Sequence, residues 1–278
     1  MQLKFTKMHG TGNDFMMVNL ISQQGSLSGS QIKKLADRRF GVGFDQLLIV
    51  EAPTDPDADF RYRIYNADGG EVEQCGNGAR CFARFVHDQK LTWKQQLQVQ
   101  TLGGTIHLSL QDDEQVLVDM GVPELTPENI PFIADHTATQ YDLELNGAHY
   151  SVGAVSMGNP HLVLVVDNVD TAPVKTLGPL LEAHPLFPNN VNVGFMQIES
   201  RKRIRLRVFE RGVGETLSCG TGACAAVVSG QLQGLLDTDE GVQVALSGGE
   251  LNIQWSGNQQ PVMMSGQATR VYEGIVRL

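Results

Sequence analysis

Two cysteines stand in closely similar short motifs whose residue types suit acid–base chemistry. Cys75 opens the run Cys-Gly-Asn-Gly-Ala-Arg-Cys, and Cys219 opens Cys-Gly-Thr-Gly-Ala-Cys. Each follows an extended run and precedes an apolar, helix-like segment, so each is expected at a helix start. Backbone N–H groups without helical partners and the positive end of the helix dipole favour a thiolate there. Both thiols are therefore expected to be more acidic than a free cysteine.

The glycines that follow each cysteine, Gly76 and Gly78 in the first motif and Gly220 and Gly222 in the second, leave the first helical turn bare. A ligand carboxylate can then approach the backbone N–H groups closely. Two such thiols suit inversion at a carbon, provided that the two domains face each other across a cleft. One thiolate removes a proton from one face, and the other thiol delivers a proton to the opposite face.

The other chemistries open to cysteine fit the spacing poorly. Cys81 and Cys224 fall inside apolar segments and are expected to be buried small hydrophobic residues. The spacings Cys-x5-Cys and Cys-x4-Cys do not match zinc sites, and no Cys-x-x-Cys redox motif is present. No glycine-rich dinucleotide fingerprint and no Schiff-base lysine are apparent. The sequence therefore predicts no metal and no cofactor.

The two motifs belong to a longer internal repeat. Cys75 and Cys219 lie 144 positions apart, and many residues around them agree in type at that offset. The matched pairs are Arg61 with Arg205, Arg63 with Arg207, Ile64 with Val208, Tyr65 with Phe209, Glu71 with Glu215 and Ala79 with Ala223. At an offset of 146, Asn13 matches Asn159 and Gln46 matches Asn192. A period near half the chain length predicts two copies of one domain.

The elements that must position the cysteines follow from periodicity. Strands are expected over 60–66 and 203–210, directly before the cysteine motifs, and helices over 30–39, 76–86, 176–183 and 223–232, the first of them capped by Ser30. Asn146-Gly147 between two alternating runs predicts a hairpin. We expect an α+β (mixed α/β) fold of two pseudo-symmetric domains, each a curved, mostly antiparallel sheet wrapped around a central helix.

Composition narrows the class of protein. The 278 residues are 41% hydrophobic and 19% charged, which is typical of a soluble globular protein, and the net charge of −10 disfavours nucleic acid or an anionic membrane as partner. The N-terminal residues lack the apolar region of a signal peptide, and no run is long enough to span a membrane. A cytoplasmic protein with reduced cysteines is expected.

Polar residues near the motifs are the candidate substrate ligands. Glu210-Arg211, at the end of a strand and just before a cysteine motif, could bind an ammonium and a carboxylate, the two groups of an amino-acid end. Further candidates with amide, hydroxyl or imidazole side chains are Asn13, Gln46, Asn66, Asn77, Asn159, Asn192, Thr221 and, as a supporting group, His161.

The chain resembles the diaminopimelate epimerase family over essentially its whole length. The resemblance is carried by the motifs Met8-His9-Gly10-Thr11-Gly12-Asn13-Asp14-Phe15, Gly43-Phe44-Asp45-Gln46, Tyr65-Asn66-Ala67-Asp68-Gly69, Gly158-Asn159-Pro160-His161, Glu210-Arg211-Gly212 and the two cysteine motifs. It implies a cofactor-independent epimerase that interconverts LL- and meso-2,6-diaminopimelate, in lysine and peptidoglycan precursor synthesis.

The resemblance also implies roles for individual residues. Cys75 and Cys219 would be the two acid–base residues. Substrate would be bound by Asn13, Gln46, Asn66, Asn159, Asn192, Glu210 and Arg211, with backbone groups at Gly76-Asn77 and Gly220-Thr221. The first domain would span 1–120 with 266–278, because the last strand returns to it, and the second 121–265. A homodimer is implied, with Tyr272 at the dimer contact.

Two alternatives stay open from the residues themselves. A proline or hydroxyproline racemase would use the same pair of thiols, although Glu210-Arg211 favours a substrate with a second amino-acid end. A thiol redox switch would instead use the cysteines as a disulfide pair.

Overall fold

The computed structural model describes residues 2–72, 75–111, 113, 115–238, 240–257 and 259–278. The chain divides into two compact units. The first comprises residues 1–119 and 265–278, and the second comprises residues 120–264.

The elements of the first part of the chain, in order, are β1 (Gln2–Gly10), β2 (Asn13–Asn19), α1 (Gly29–Ala36), β3 (Gln46–Glu51), β4 (Phe60–Asn66), β5 (Glu71–Val72), α2 (Gly76–Asp88), β6 (Gln96–Thr101), β7 (Gly104–Leu110) and β8 (Gln115–Asp119). A 3-10 turn (Pro127–Asn129) follows. The remaining elements are β9 (Tyr141–Leu145), β10 (Ala148–Ser156), β11 (Pro160–Val165), α3 (Val174–Glu182), β12 (Asn192–Ser200), β13 (Arg203–Glu210), β14 (Gly214–Thr216), α4 (Gly220–Leu232), β15 (Val242–Leu246), β16 (Gly249–Gln254), β17 (Met263–Gln267) and β18 (Thr269–Arg277).

The first unit is a mixed sheet with one long helix packed on it. β18 pairs with β1, β1 with β2, β3 with β4, β6 with β7 and β7 with β8, all antiparallel, whereas β2–β3 and β4–β6 are parallel. Helix α2 packs against β1, β2, β3, β7 and β8. The opposite side of the sheet carries α1 and a second apolar cluster that includes Leu3, Phe44 and Tyr65.

The second unit repeats most of this pattern. β9 pairs with β10, β10 with β11, β12 with β13 and β15 with β16, all antiparallel, whereas β11–β12 and β13–β15 are parallel. Helix α4 packs against β10, β11, β12, β13 and β16, and a cluster around Phe132, Leu181 and Phe195 lies under α3. The α+β fold with two pseudo-symmetric domains predicted from the sequence is confirmed.

The register of the repeat also agrees. In the first unit Leu47 lies opposite Tyr65 and Phe15 beside Gln46. In the second, Val193 lies opposite Phe209 and His161 beside Asn192. The sequence offsets therefore identify structurally equivalent positions.

Several local predictions can be judged directly. Strands β4 and β13 begin and end where the sequence predicts them, and Asn146 and Gly147 both have positive φ (54° and 78°), as a hairpin turn of this type requires. The prediction that Ser30 caps the first helix is wrong. Ser28 caps α1, because its hydroxyl accepts from the Gln31 N–H while the Gln31 side chain accepts from the Ser28 N–H.

Candidate active site

Both candidate cysteines are N-cap residues. Cys75 has extended backbone angles (φ −149°, ψ 115°) and its carbonyl accepts the first helical hydrogen bond of α2 from Ala79 N–H at 2.8 Å. Cys219 stands in the same way before α4 (φ −125°, ψ 109°), accepting from Ala223 N–H at 3.0 Å. The predicted placement of each cysteine at a helix start is confirmed. None of the four cysteines is in a disulfide.

An amide carbonyl faces the Cys75 thiol. Cys75 Sγ lies 3.6 Å from Asn13 Oδ1, to which it donates as a thiol. Asn13 Nδ2 donates to the Asp45 carboxylate at 3.0 Å, and Arg38 holds that carboxylate at 2.7 Å. Because the NH2 group of Asn13 is committed to Asp45, its oxygen must face the sulfur. Asn13 is thus an acceptor toward Cys75 and favours its protonated form.

Gln46 and Asn66 form a second polar pair in the first unit. They lie opposite each other on β3 and β4, and Gln46 Nε2 donates to Asn66 Oδ1 at 2.9 Å. Gln46 Oε1 is shielded from solvent and has no hydrogen-bond partner among the described residues. A carbonyl oxygen that keeps this capacity can accept a hydrogen bond from a ligand ammonium or hydroxyl.

A buried arginine connects the first turn of α2 to the loop between β1 and β2. The side chain of Arg80 is fully buried, and its Nη2 lies 3.0 Å from Asn77 Oδ1 and 3.3 Å from Thr11 Oγ1. The Asn77 side chain is therefore turned into the protein. Sequence reasoning did not single out Arg80, because an arginine inside a helix reads as a solvated residue.

Cys219 is more enclosed than the motif suggests. Its side chain is buried, and its Sγ lies 3.5 Å from Thr221 Oγ1. Burial, and then the negative charge of Glu210, raise the pKa of Cys219 well above its usual value, although hydrogen bonds from Thr221 and the Gly222 N–H act in the opposite direction. The prediction of an acidified Cys219 is therefore wrong, because loss of hydration outweighs the helix terminus.

Glu210 and Arg211 serve different neighbours in the second unit. The Thr216 hydroxyl donates to Glu210 Oε1, and the negative charge of the Glu210 carboxylate raises the pKa of Cys219. Arg211 is exposed, and its Nη1 donates to the Asn189 carbonyl at 3.0 Å. Adjacent residues at a strand end point to different sides, so the two charges are not a paired unit.

The remaining amides of the second unit hold its backbone and its histidine. Asn192 is buried, with Nδ2 on the Pro160 carbonyl at 2.9 Å and Oδ1 accepting from Arg211 N–H at 3.0 Å. Asn159 Oδ1 lies 3.0 Å from His161 Nε2. Burial, and then the charge of Arg211, lower the pKa of His161 to about 3, so its imidazole is neutral at physiological pH.

The structure thus divides the predicted site residues between the units. The first unit holds Asn13, Gln46, Asn66, Cys75, Gly76 and Asn77, and the second holds Asn159, His161, Asn192, Glu210, Arg211, Cys219, Gly220 and Thr221. Tyr272 lies apart from them on β18, 45% exposed, with its ring edge-on to Phe5 at 5.9 Å.

Among the residues described, no three His, Cys, Asp or Glu side chains could together hold a metal ion. No helix in the described ranges is long and apolar enough to cross a membrane.

Comparison with solved structures shows the fold. The structure of a phenazine biosynthesis protein of the PhzF family from Bacillus anthracis superposes with a TM-score of 0.71 at 15% identity, covering 100% of both chains. A hydroxyproline epimerase from Agrobacterium vitis, solved with bound trans-4-hydroxy-L-proline, gives a TM-score of 0.69 at 13% identity, covering 99% of this chain and 92% of the other.

Sequence relatives are much closer. Diaminopimelate epimerase of Thioalkalivibrio sulfidiphilus is 62% identical over 99% of both chains, and diaminopimelate epimerase of Pseudomonas paraeruginosa is 60% identical over 100% of both. The family model described as diaminopimelate epimerase matches residues 5–126 and 153–271, which include both cysteine motifs. With its two cysteine-capped helices in two matching units, the chain belongs to the diaminopimelate epimerase family.

Proposed function

We propose that this protein is a cofactor-independent isomerase that interconverts LL- and meso-2,6-diaminopimelate, in lysine and peptidoglycan precursor biosynthesis. One observation carries the chemistry: each unit of the repeat presents a cysteine that is not in a disulfide at the same position, the N-cap of its long helix. The substrate is inferred from full-length relatives that are at least 60% identical and are called diaminopimelate epimerase.

The proposed reaction uses the two cysteines as acid and base at one carbon. A thiolate takes the α-proton and becomes a thiol, and the electron pair left on the carbon spreads into the α-carboxylate. The thiol of the other cysteine gives its proton to the opposite face of that carbon and becomes a thiolate. The product has the inverted configuration, and the reverse reaction exchanges the two roles.

The first turns of α2 and α4 are the proposed site of the reacting carboxylate. Gly76 and Asn77 in one unit, and Gly220 and Thr221 in the other, offer backbone N–H groups beside each sulfur, and the helix dipole favours negative charge there. The charge that builds on the carboxylate as the proton leaves is stabilised by these fixed donors without reorganisation.

Further residues are proposed to hold the rest of the substrate. The open carbonyl of Gln46, beside Asn66, suits an ammonium, and the exposed guanidinium of Arg211 suits a carboxylate. Asn192 supports this arrangement by accepting from the Arg211 backbone N–H and donating to the Pro160 carbonyl, and Asn159 is proposed to act beside it with His161.

We assign the resting thiol to Cys219. Its burial and the charge of Glu210 hold its pKa well above neutral, so it carries its proton in the free protein. A pair that needs one thiolate and one thiol then begins its reaction cycle with Cys75 as the thiolate.

The direct test follows the α-proton. Incubation with LL-diaminopimelate in heavy water should place deuterium at the α-carbon and produce the meso isomer. Cys75→Ala and Cys219→Ala should each abolish inversion while the protein stays folded by circular dichroism. Cys224→Ala, which removes a buried thiol away from the helix start, is the matched control and should retain turnover. A folded protein that exchanges no α-proton would exclude the epimerase.

A proline or hydroxyproline racemase is the nearest rival. The hydroxyproline epimerase that shares the fold is only 13% identical, so that similarity concerns the architecture alone. Parallel heavy-water incubations with L-proline and trans-4-hydroxy-L-proline should show no exchange. If either cyclic amino acid exchanged its α-proton faster than diaminopimelate, that amino acid and not diaminopimelate would be the substrate.

Localisation and assembly are part of the same proposal. A mechanism that needs thiols suits the reducing cytoplasm, and none of the four cysteines is in a disulfide.

We propose a homodimer formed through β18, which exposes Val271, Tyr272 and Ile275. Sedimentation of the wild-type protein should give a dimer, and Tyr272→Ala should shift it toward the monomer. A monomeric wild-type protein would contradict this assembly.

A further inference from the structure

Behind Cys75 lies a tyrosine hydroxyl that the chemistry above does not use. Tyr62 stands on β4 and is 1% exposed, and its ring packs on Phe82 of α2 with the centroids 4.8 Å apart. Its hydroxyl is shielded from solvent and has no hydrogen-bond partner among the described residues. A buried O–H without a partner is costly, so its presence here needs a reason.

The hydroxyl borders the same space as the Cys75 side chain. A Cβ added to Gly78 would collide with the Tyr62 hydroxyl and would lie 3.5 Å from the Cys75 Cβ. The absence of a side chain at Gly78 therefore allows the phenol to reach the first turn of α2, next to the cysteine. Burial is the first cause that raises the pKa of Tyr62 well above its usual value, and repulsion from the Cys75 and Cys81 sulfurs, once these are ionised, adds to it, so the phenol stays protonated and can only donate to an anion.

The contact between Cys75 and Asn13 suits only one of the two protonation states of the cysteine. Asn13 Oδ1 accepts from the thiol at 3.6 Å and cannot donate to a thiolate, because its own NH2 group is committed to Asp45. A thiolate needs donors. The first-turn N–H groups of α2 supply some, and the Tyr62 hydroxyl, which has no hydrogen-bond partner among the described residues, is a further donor beside the first turn of α2.

The second unit lacks this feature. At the 144-residue offset, Tyr62 corresponds to Leu206, a buried residue without a polar group, and Asn66 corresponds to Glu210. Cys219 therefore stands beside a carboxylate and Cys75 beside a phenol. A carboxylate favours the thiol and a hydroxyl donor favours the thiolate. These two sequence differences between the units therefore favour a thiol at Cys219 and a thiolate at Cys75.

We propose that Tyr62 is a positioning residue for Cys75, donating a hydrogen bond from its hydroxyl to the sulfur when that side chain is a thiolate. The proposal rests on the proposed function, in which Cys75 is one of the two acid–base residues. It adds the group that stabilises the charged form of Cys75 and the reason why the two units are not chemically equivalent.

The other titratable and charged groups of α2, β1 and the neighbouring loops differ in how far they are engaged. Arg80 of α2 is turned to Asn77 and Thr11, and Asp45 is bound by Arg38 and Asn13. Cys81, further along α2, is buried, and burial raises its pKa to about 12, so it stays neutral. On β1, His9 is half-buried, and its Nδ1 has no hydrogen-bond partner in the described part of the chain. His87 and the Arg84–Asp88 ion pair lie on the later turns of α2.

The test measures the acidity of Cys75 without substrate. The rate of carbamidomethylation at Cys75, quantified by peptide mass spectrometry across pH, gives the titration midpoint of its thiol. Tyr62→Phe should move that midpoint upward by about one pH unit, which is about tenfold slower labelling below the midpoint. The acid limb of kcat/KM should move in the same direction. The thermal midpoint should stay the same or rise, because an unsatisfied hydroxyl has been removed.

Two further measurements separate this role from packing. Tyr65→Phe removes a hydroxyl on the same strand but from the opposite side of the sheet, and it should leave the Cys75 midpoint in place. With 3-fluorotyrosine at position 62 the phenol keeps its shape and becomes a stronger donor, so the midpoint should fall. An unchanged Cys75 midpoint in Tyr62→Phe, or an equal shift in Tyr65→Phe, would overturn the proposal. Because labelling needs no substrate, that result is distinct from a failure of α-proton exchange, which would reject the epimerase itself.

Discussion

The carbonyl oxygen of Asn13, not its amide nitrogen, faces the sulfur of Cys75 at 3.6 Å. The orientation is fixed from behind, since Asn13 Nδ2 is bound to Asp45 at 3.0 Å. Cys75 is therefore poised between an acceptor that favours the thiol and the helix start that favours the thiolate. Each of the two protonation states of Cys75 thus has a neighbour that stabilises it, as an acid–base group requires.

Changing Asn13 should shift this balance. Asn13→Asp keeps the shape but places a negative charge beside the sulfur, which should raise the pKa of Cys75 by about one to two units. Labelling of Cys75 at neutral pH and turnover should both fall about tenfold or more. Asn19→Asp adds the same charge near the end of β2, where the side chain accepts from the backbone N–H groups of Ile21 and Ser22, and it should change neither value. Equal labelling of Cys75 in Asn13→Asp and wild type would contradict the assignment.

Cys219 should respond to the loss of its acidic neighbour in the opposite sense. Glu210→Gln removes a charge that raises the pKa of Cys219, so the midpoint of thiol labelling should fall. Burial persists in the variant, so the midpoint should stay above that of a free cysteine. The measurement is pH-dependent alkylation of the Cys219 peptide. Glu199→Gln, a charge removed from β12 of the same unit, is the control and should leave the Cys219 midpoint unchanged.

The enclosure of Cys219 is the part of the site that its motif does not reveal. The run Cys-Gly-Thr-Gly predicts a helix start, and a helix start predicts an acidic thiol. Whether the surrounding side chains exclude water depends on residues outside the motif. Examples are Glu210 and Val208, and Val208 Cγ2 would lie 3.1 Å from a Cβ on Gly222. A local motif therefore gives the position of this cysteine and the wrong direction for its pKa.

Other misses have equally local causes. Strands β5 and β14 span two and three residues, which is too short for an alternating pattern, although Glu71 and Glu215 mark them in the repeat. Helix α4 begins at Gly220, before the predicted start at 223, because burial stabilises helical glycines that intrinsic propensity disfavours. Tyr62 reads as a core strand residue, and only the packed structure places its hydroxyl beside Cys75.

Equivalent ion pairs hold the short strands before each cysteine, and their removal should destabilise each unit. Arg63 Nε lies 2.7 Å from Glu71 Oε1, and Arg207 Nε lies 2.6 Å from Glu215 Oε1. Glu71→Gln or Glu215→Gln should lower the free energy of unfolding by about 1 kcal/mol, measured in urea, because both partners are mostly shielded. Arg61→Gln, whose partner Glu51 is 3.8 Å away, should cost almost nothing. A cost at Glu71 no larger than at Arg61 would show that the pair is not structural.

The cluster around Asp14 should make stability fall in acid. Burial pushes the pKa of Asp14 upward, but the bonds and charges of Arg38 and Lys7 outweigh it and hold the pKa well below its ordinary 3.8. A folded-state pKa below the unfolded value gives stability that is present above about pH 4 and is lost as pH falls further. Asp14→Asn should therefore cost about 2 kcal/mol at pH 7 and progressively less below pH 4. Urea unfolding at pH 7 and pH 3 gives both values, and an equal cost at the two pH values would contradict the linkage.

Gly78 and Tyr62 should show coupled effects on stability. A Cβ at Gly78 would collide with the Tyr62 hydroxyl and would lie 3.2 Å from Leu48 Cδ2. Gly78→Ala should therefore lower the free energy of unfolding by about 1 to 3 kcal/mol, despite the better helix propensity of alanine. In a Tyr62→Phe background the hydroxyl is gone, and the same change should cost less by about 1 kcal/mol or more. The double-mutant cycle measures that difference directly. Additive effects of Gly78→Ala and Tyr62→Phe would mean that the hydroxyl does not occupy the space at the start of α2.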